Sequence, residues 1–229
     1  MTNKWLKVAL MVTAIATGTS IKIDAETVLY VPQDDRPVSL QYTVDTAREA
    51  GMTVLTPPQH LISGKTYQGQ ADQIMAWVEQ NAGRADVMVL STDTLIYGGL
   101  VDSRKHNIPL STLQNRLKRI EGLKARNKNV RIYGFGTVMR SPRASGGGTE
   151  PAYYAEYGPT IFQIAALQDK LDSGSLTQEE TQKLMSLQAS VPVEYLQDWF
   201  DRRQKNMKIN KELIDETRSG VFDYFALGH

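Results

Sequence analysis

The sequence predicts an α/β fold in which a mostly parallel sheet is flanked by helices, either Rossmann-like or as a partial barrel. Short runs of strand length that are apolar throughout alternate with longer segments of helical periodicity. Strands of this kind are typical of parallel sheets that are covered on both faces. The composition fits this class, because 41% of the residues are hydrophobic and 22% are charged.

Four strands and three helices follow one another in the first part of the chain. The first helix has Pro37 at its first turn and Gly51 at its end, where these two residue types are favoured. The predicted strands are 28–31, 52–55, 87–90 and 130–138, and the predicted helices are 37–51, 71–81 and a segment with Leu110, Leu113, Leu117 and Ile120 at helical spacing.

The alternation changes after the fourth strand, where residues 144–218 predict a helical insertion in a domain that spans residues 26–229. Its first helix runs from about Pro159 to Leu171, and its second opens with Thr177 and Glu180 in capping-box spacing. The third runs from about Pro192 to Arg218, and a fifth strand follows at 221–227. Because the chain ends directly after this strand, we expect it to be a fragment of a longer protein.

The first 25 residues have the order of a secretory signal peptide. Lys4 and Lys7 precede an apolar stretch at 8–17, and Ala25 is a plausible cleavage point. The apolar stretch is shorter than the roughly 18 residues of a spanning helix. The alternative is an uncleaved N-terminal helix. We expect export to the periplasm or the extracellular space, with no membrane span after signal cleavage.

Charge and motif content exclude several classes of function. A formal net charge of +1, with no basic stripe, argues against nucleic acid as a partner. The chain has no cysteine, no P-loop, no complete dinucleotide fingerprint and no zinc-type histidine spacing. We therefore predict no cofactor and no metal, although carboxylates of the kind found here could hold Mg²⁺ or Ca²⁺.

Carboxylates after the first and third strands are the candidate catalytic residues. Asp34 and Asp35 follow the first strand, and Asp93 follows the third. The carboxyl ends of parallel strands meet at one edge of a sheet, where ligands bind. Carboxylates whose pKa values are moved apart by their surroundings serve as acid and base. The alternatives are that Asp34 or Asp35 caps the following helix and that Asp93 forms an Asx turn.

Residues near these carboxylates are the candidate substrate-binding groups. Arg104 and Arg140 could bind an anionic or carboxylate group in bidentate fashion, or could be surface charges. Arg36, beside the two carboxylates, could help to orient a substrate. Tyr97 is a further candidate, and Gly98 and Gly99 let the backbone approach a ligand or form a turn. Three tyrosines could stack on a sugar ring or pack the insertion against the sheet, namely Tyr153, Tyr154 and Tyr157.

Two long motifs resemble a bacterial family known as domain of unknown function 4127 (DUF4127). The segment 31–38, Val-Pro-Gln-Asp-Asp-Arg-Pro-Val, is similar to the opening motif of that family. The segments 91–93 and 97–104 are similar to its most distinctive stretch, and 55–58 is similar to its second strand end. The resemblance covers the whole mature chain and implies a further acidic motif beyond a strand like 221–227. It implies no particular activity.

The first functional hypothesis is an exported hydrolase of glycans or similar polyhydroxylated substrates. Asp34 or Asp35, together with Asp93, would supply acid, base or nucleophile, and the arginines would orient the substrate. The alternatives are a ligand-binding or envelope scaffold protein without turnover and a metal-dependent phosphoester hydrolase.

Overall fold

The computed structural model describes residues 25–144 and 147–228, and almost all of the predicted signal peptide at 1–25 lies outside these ranges. Five strands form one sheet: β1 (Thr27–Val31), β2 (Thr53–Leu55), β3 (Val87–Ser91), β4 (Arg131–Thr137) and β5 (Tyr224–Gly228). Every neighbouring pair is parallel, which confirms the predicted fold class.

Eight α-helices lie in the described part of the chain. They are α1 (Gln41–Glu49), α2 (Ala71–Asn81), α3 (Thr92–Tyr97), α4 (Asp102–Lys105), α5 (Leu110–Arg126), α6 (Tyr154–Asp172), α7 (Gln178–Ala189) and α8 (Val193–Arg218). Short 3₁₀ turns occupy Gln59–Leu61 and Ala82–Arg84.

The strand order, β2-β1-β3-β4-β5, is that of an open, doubly wound sheet and selects the Rossmann-like alternative over a partial barrel. The chain moves outward from β1 to β2 and then returns to the other side of β1 to form β3. The helices that follow β1 and β3 therefore lie on opposite faces of the sheet. In folds of this class, the crevice that binds ligands lies beyond the carboxyl ends of these two strands.

One face of the sheet carries the main core. Leu29, Met88, Leu90 and Ile132 are fully buried there, in one cluster with apolar residues of α2, α3, α5 and α8. Strand residues alternate between faces, and α1 lies against the opposite face. The core thus fixes β1, β3 and β4 side by side, with their carboxyl ends at one edge.

The insertion between β4 and β5 has a core of its own, centred on Trp199 and Tyr154, whose rings lie 4.4 Å apart. The 26-residue helix α8 contributes Trp199 to this cluster and Ile209 to the main core, and thereby joins the two. The tyrosines predicted near the insertion pack within it, since Tyr153 stacks on Tyr195 with 4.7 Å between ring centroids.

The capping box predicted at the start of α7 is confirmed. The Thr177 hydroxyl accepts a hydrogen bond from the backbone N–H of Glu180 at 3.1 Å. The Glu180 carboxylate accepts one from the backbone N–H of Thr177 at 3.0 Å. These two bonds satisfy N–H groups that have no partner within the helix.

Two predicted helix starts are wrong. The first helix starts at Gln41 rather than Pro37, because residues 36–40 form a tight turn in which the Arg36 carbonyl accepts from the N–H groups of Ser39 and Leu40. The first helix of the insertion begins at Tyr154, so that Pro159 lies inside it. Tyr154 is fully buried against Trp199, and this packing extends the helix ahead of the proline.

Candidate functional site

Asp93 links the carboxyl ends of β1, β3 and β4. It follows β3 in the first turn of α3, whose N-terminus is capped by the Ser91 hydroxyl. Its Oδ2 accepts hydrogen bonds from Gln33 Nε2 at 2.9 Å and from the Thr137 hydroxyl at 2.8 Å. Gln33 lies just after β1 and Thr137 ends β4, so one carboxylate holds three strand ends together.

Burial gives Asp93 an unusual pKa. The residue is 2% exposed, and burial raises its pKa to about 6, while hydrogen bonds from Gln33 and Thr137 and the charge of Arg104 act in the opposite direction. About half of Asp93 therefore carries a proton at pH ~6, where an ordinary aspartate is almost fully ionised. Asp93 lies in the first turn of α3 and does not form the Asx turn that was the alternative interpretation.

Asp34 is paired with Arg36. Its Oδ2 accepts from Arg36 Nε at 2.8 Å and Nη2 at 2.7 Å, and its Oδ1 accepts from the Arg36 backbone N–H at 3.2 Å. Asp34 is buried, whereas half of the Arg36 side chain is exposed. This contact closes an Asx-type turn and fixes the direction of the guanidinium.

Asp35 has a different partner from Asp34 and is half-buried. Its carboxylate accepts a hydrogen bond from the Tyr67 hydroxyl, and its backbone N–H donates to the Ser63 carbonyl at 2.9 Å. The segment 62–69 therefore covers this side of the crevice. Neither Asp34 nor Asp35 caps α1, because that helix begins at Gln41 with no side-chain cap bond.

Arg104 and Arg140 approach the same edge from α4 and from the segment after β4. Arg140 is paired with buried Glu150, whose Oε1 lies 2.6 Å from Arg140 Nη2. Arg104 is half-buried; burial lowers its pKa and the positive charge of Arg140 lowers it further, while the negative charges of Glu150 and Asp93 raise it. Arg36 also acts on Arg104 electrostatically. Arg36 and Arg140 thus lie close enough to Arg104 to act on its charge, and Arg104 in turn acts on Asp93.

Tyr97 and the two glycines after it lie at the inner wall of the site. Tyr97 is buried and stacks on His106 with 4.9 Å between centroids. Its hydroxyl has no hydrogen-bond partner among the described residues. Burial and then the charge of Asp93 raise the pKa of Tyr97 well above 10.

Gly98 and Gly99 pack against the segment 62–69. A side chain at Gly98, where φ is +109°, would press on the Gly69 carbonyl, and one at Gly99 would overlap the Ser63 hydroxyl. Close approach of two protein segments accounts for both glycines, and contact of either with a substrate stays a prediction.

Sequence reasoning overlooked four residues of this site: Gln33, Tyr67, Thr137 and Glu150. Each lies in or just before a segment that leaves the carboxyl end of a strand, namely β1, β2 or β4. The topological rule that selected Asp93 would have placed them at the same edge. Nothing in the local pattern distinguished them from other polar loop residues.

Two further properties of the described residues bear on the site. Across residues 25–144 and 147–228, no group of three or more histidine, aspartate or glutamate side chains is placed to hold a metal ion. In the same ranges, no helix combines the length and the apolar character that crossing a bilayer requires.

These features define an α/β protein with a polar, charged site at the topological switch point of a parallel sheet. The model of the family described as "Protein of unknown function (DUF4127)" matches residues 28–229. The chain belongs to this family, and the resemblance drawn from its motifs is confirmed. No curated protein and no solved structure matched the chain.

Proposed function

We propose that this protein is a carboxylate-based hydrolase of glycans or related polyhydroxylated substrates, exported to the periplasm or the extracellular space. One observation carries the catalytic part of the proposal: Asp35 and Asp93 lie at the same edge of the sheet in contrasting surroundings. Asp35 is half-buried and bound to a tyrosine hydroxyl, whereas Asp93 is buried with its pKa raised to about 6. Pairs of this kind divide the acid and base roles of hydrolysis.

Asp93 is the proposed proton donor and Asp35 the proposed base or nucleophile. Protonated Asp93 would give its proton to the oxygen of the leaving group, while Asp35 would activate water or attack the substrate carbon. Asp35 suits this role better than Asp34, because both Asp34 oxygens already accept bonds from Arg36. The arginines would orient the substrate.

The test is turnover of a glycan panel by the wild-type chain and by Asp35→Asn and Asp93→Asn. Loss of a positioned acid or base lowers kcat by about 10²- to 10⁴-fold. Asp45→Asn, which changes an exposed carboxylate of α1, is the matched control and should retain full activity. Equal turnover by all four proteins, or no turnover of any substrate, would overturn the proposal.

A ligand-binding protein without turnover is the second candidate, and the burial of Asp93 favours it. With 2% exposure and hydrogen bonds to Gln33 and Thr137, Asp93 can hold the crevice in shape without contacting a substrate. Sugars would then raise the melting temperature while no product forms. Product formation that depends on Asp35 would exclude this candidate.

A further inference from the structure

We infer that Arg104 is the anion-binding residue of this site, and that the substrate carries an acidic oxyanion group beside its hydroxyls. The inference rests on the proposed function and narrows its substrates from polyhydroxylated compounds in general to acidic ones. A sugar carboxylate, a sugar sulfate and a sugar phosphate each present an oxyanion that a guanidinium can bind.

The three arginines at the sheet edge differ in their partners. Arg36 is bound to Asp34 and Arg140 is bound to Glu150. The side chain of Arg104 makes no hydrogen bond or ion pair with any residue in the described part of the chain. Two of the three guanidinium groups are thus each paired with a carboxylate, whereas the guanidinium of Arg104 is available to bind a ligand.

An unpaired guanidinium at this position is stabilised by any hydrogen-bond acceptor that approaches it. Arginine presents five N–H donors in a fixed plane. Arg104 is half-buried, and burying such donors without partners is costly. Water can supply such acceptors, and an oxyanion supplies them with an added charge interaction.

Asp93 does not provide that partner. Its oxygens accept bonds from Gln33 and Thr137 instead of Arg104. Asp34 and Glu150 offset the charges of Arg36 and Arg140, whereas Arg104 is paired with no carboxylate in the described part of the chain. An anion that binds Arg104 therefore does not have to displace a carboxylate from it.

The short helix that carries Arg104 is held in place on several sides. Lys105 Nζ donates to the Gly148 carbonyl at 3.1 Å, and Asn206 Nδ2 donates to the Ser103 carbonyl at 2.8 Å. The Leu100 N–H donates to the Gln33 carbonyl at 3.3 Å, which joins this region to the segment after β1. Because the backbone that carries Arg104 is fixed in this way, the guanidinium loses little conformational entropy when it binds a ligand.

The test is equilibrium binding of glucose, glucuronate, glucose 6-sulfate and glucose 6-phosphate to the full chain by calorimetry. We expect at least one acidic sugar to bind about 10- to 100-fold more tightly than glucose, as a charge-assisted hydrogen bond predicts. Preference for glucuronate assigns a carboxylate substrate, and preference for the sulfate or phosphate assigns a tetrahedral oxyanion. Equal affinity for all four sugars would overturn the inference.

Variants connect the preference to Arg104. Arg104→Gln should abolish it, and Arg104→Lys, which keeps the charge but loses the planar fork, should retain part of it. Arg218→Gln is the matched control. Arg218 is the last residue of α8 and precedes the amino end of β5, whereas the site lies beyond the carboxyl ends of the strands. Circular dichroism establishes that each variant is folded. An unchanged preference in folded Arg104→Gln would refute the assignment.

The outcomes separate this inference from the proposed function. Hydrolysis of neutral glycans together with equal binding of neutral and acidic sugars would refute the inference and leave the hydrolase proposal intact. Acid-selective binding that depends on Arg104, without turnover of any substrate, would support the inference and refute the hydrolase proposal.

Discussion

Gln33 donates a hydrogen bond to Asp93 across the line where β1 meets β3, with 2.9 Å between Nε2 and Oδ2. The two residues are 60 positions apart in the chain. The sheet order brings them together, because β3 lies beside β1 while β2 lies on its other side. This bond joins the two segments that diverge at the switch point, and it acts on the residue proposed to donate a proton.

Replacing Gln33 with leucine should raise the pKa of Asp93 above its wild-type value of about 6. The bond from Gln33 lowers that pKa by stabilising the carboxylate, while burial raises it. Carbon-13 NMR titration of the Asp93 carboxyl measures the change. Thr137→Val removes another donor to Asp93 and should shift the pKa in the same direction. A lowered or unchanged value in both variants would contradict this reading.

Alanine at Gly69 or Gly99 should destabilise the protein by roughly 1 to 3 kcal/mol, the usual cost of overpacking. The added methyl group would overlap the Gly98 carbonyl in the first case and the Ser63 hydroxyl in the second. Urea unfolding measures the loss. Gly83→Ala is the control, because a methyl group there meets nothing within 4 Å. A loss in the control as large as in the other two would contradict the packing argument.

Asp35→Asn should lower the pKa of Tyr67 toward the ordinary tyrosine value. In the wild type, the hydrogen bond to Asp35 is the main cause that raises this pKa, since it holds the phenol proton. NMR titration with labelled tyrosine measures it, and Tyr67→Phe identifies the signal by removing it. A Tyr67 signal that titrates identically in both proteins would show that the bond does not form in solution.

Asp34→Ala should cost roughly 1 to 3 kcal/mol of unfolding free energy, because it leaves the Arg36 backbone N–H without its acceptor. Asp34→Asn keeps an acceptor for that N–H and should cost less. Chemical denaturation compares the two. Asp215→Ala, at an exposed ion pair with Arg218, is the control and should change stability by no more than about 1 kcal/mol. Equal losses in Asp34→Ala and Asp34→Asn would remove the Asx-type turn from the explanation.

The sequence was sufficient to place Asp34, Asp93 and Arg140 at one edge of the sheet. That prediction needed only the alternation of apolar strands with helices and the rule that ligands bind beyond the carboxyl ends of parallel strands. The apolar runs identify the strands, and the order of elements fixes which strand ends meet. These are properties of whole segments, so single loop residues do not disturb them.

The sequence did not predict which charged residues pair with one another within the site. Asp34 binds Arg36 and Arg140 binds Glu150 because of loop conformations that follow no periodic pattern. The turn at 36–40 delays the start of α1 by one helical turn, and this change alone removes the capping interpretation of Asp34 and Asp35. Tyr97 is buried against the ring of His106, nine residues further along the chain, and no periodic pattern predicts this contact.

The stability of Asp93→Asn relative to the wild type should increase as the pH rises from about 4 to about 6. An unfolded aspartate has a pKa of roughly 3.9, and burial raises the folded pKa of Asp93 to about 6. Below pH ~4, Asp93 is protonated in both states and burial of a charge costs nothing. Between these values the unfolded chain releases the proton and the folded chain keeps it, so wild-type stability falls, by on the order of 2 to 3 kcal/mol in total.

Unfolding by urea at a series of pH values, in both proteins, isolates this effect, because every other carboxylate is common to the two. The difference in unfolding free energy should shift in favour of Asp93→Asn across that window and stay constant above it. A difference that does not vary with pH would show that Asp93 has an ordinary pKa. A variant that is more stable than the wild type above pH 6 and yet inactive would indicate that the buried charge is retained for function, since natural sites commonly sacrifice stability in this way.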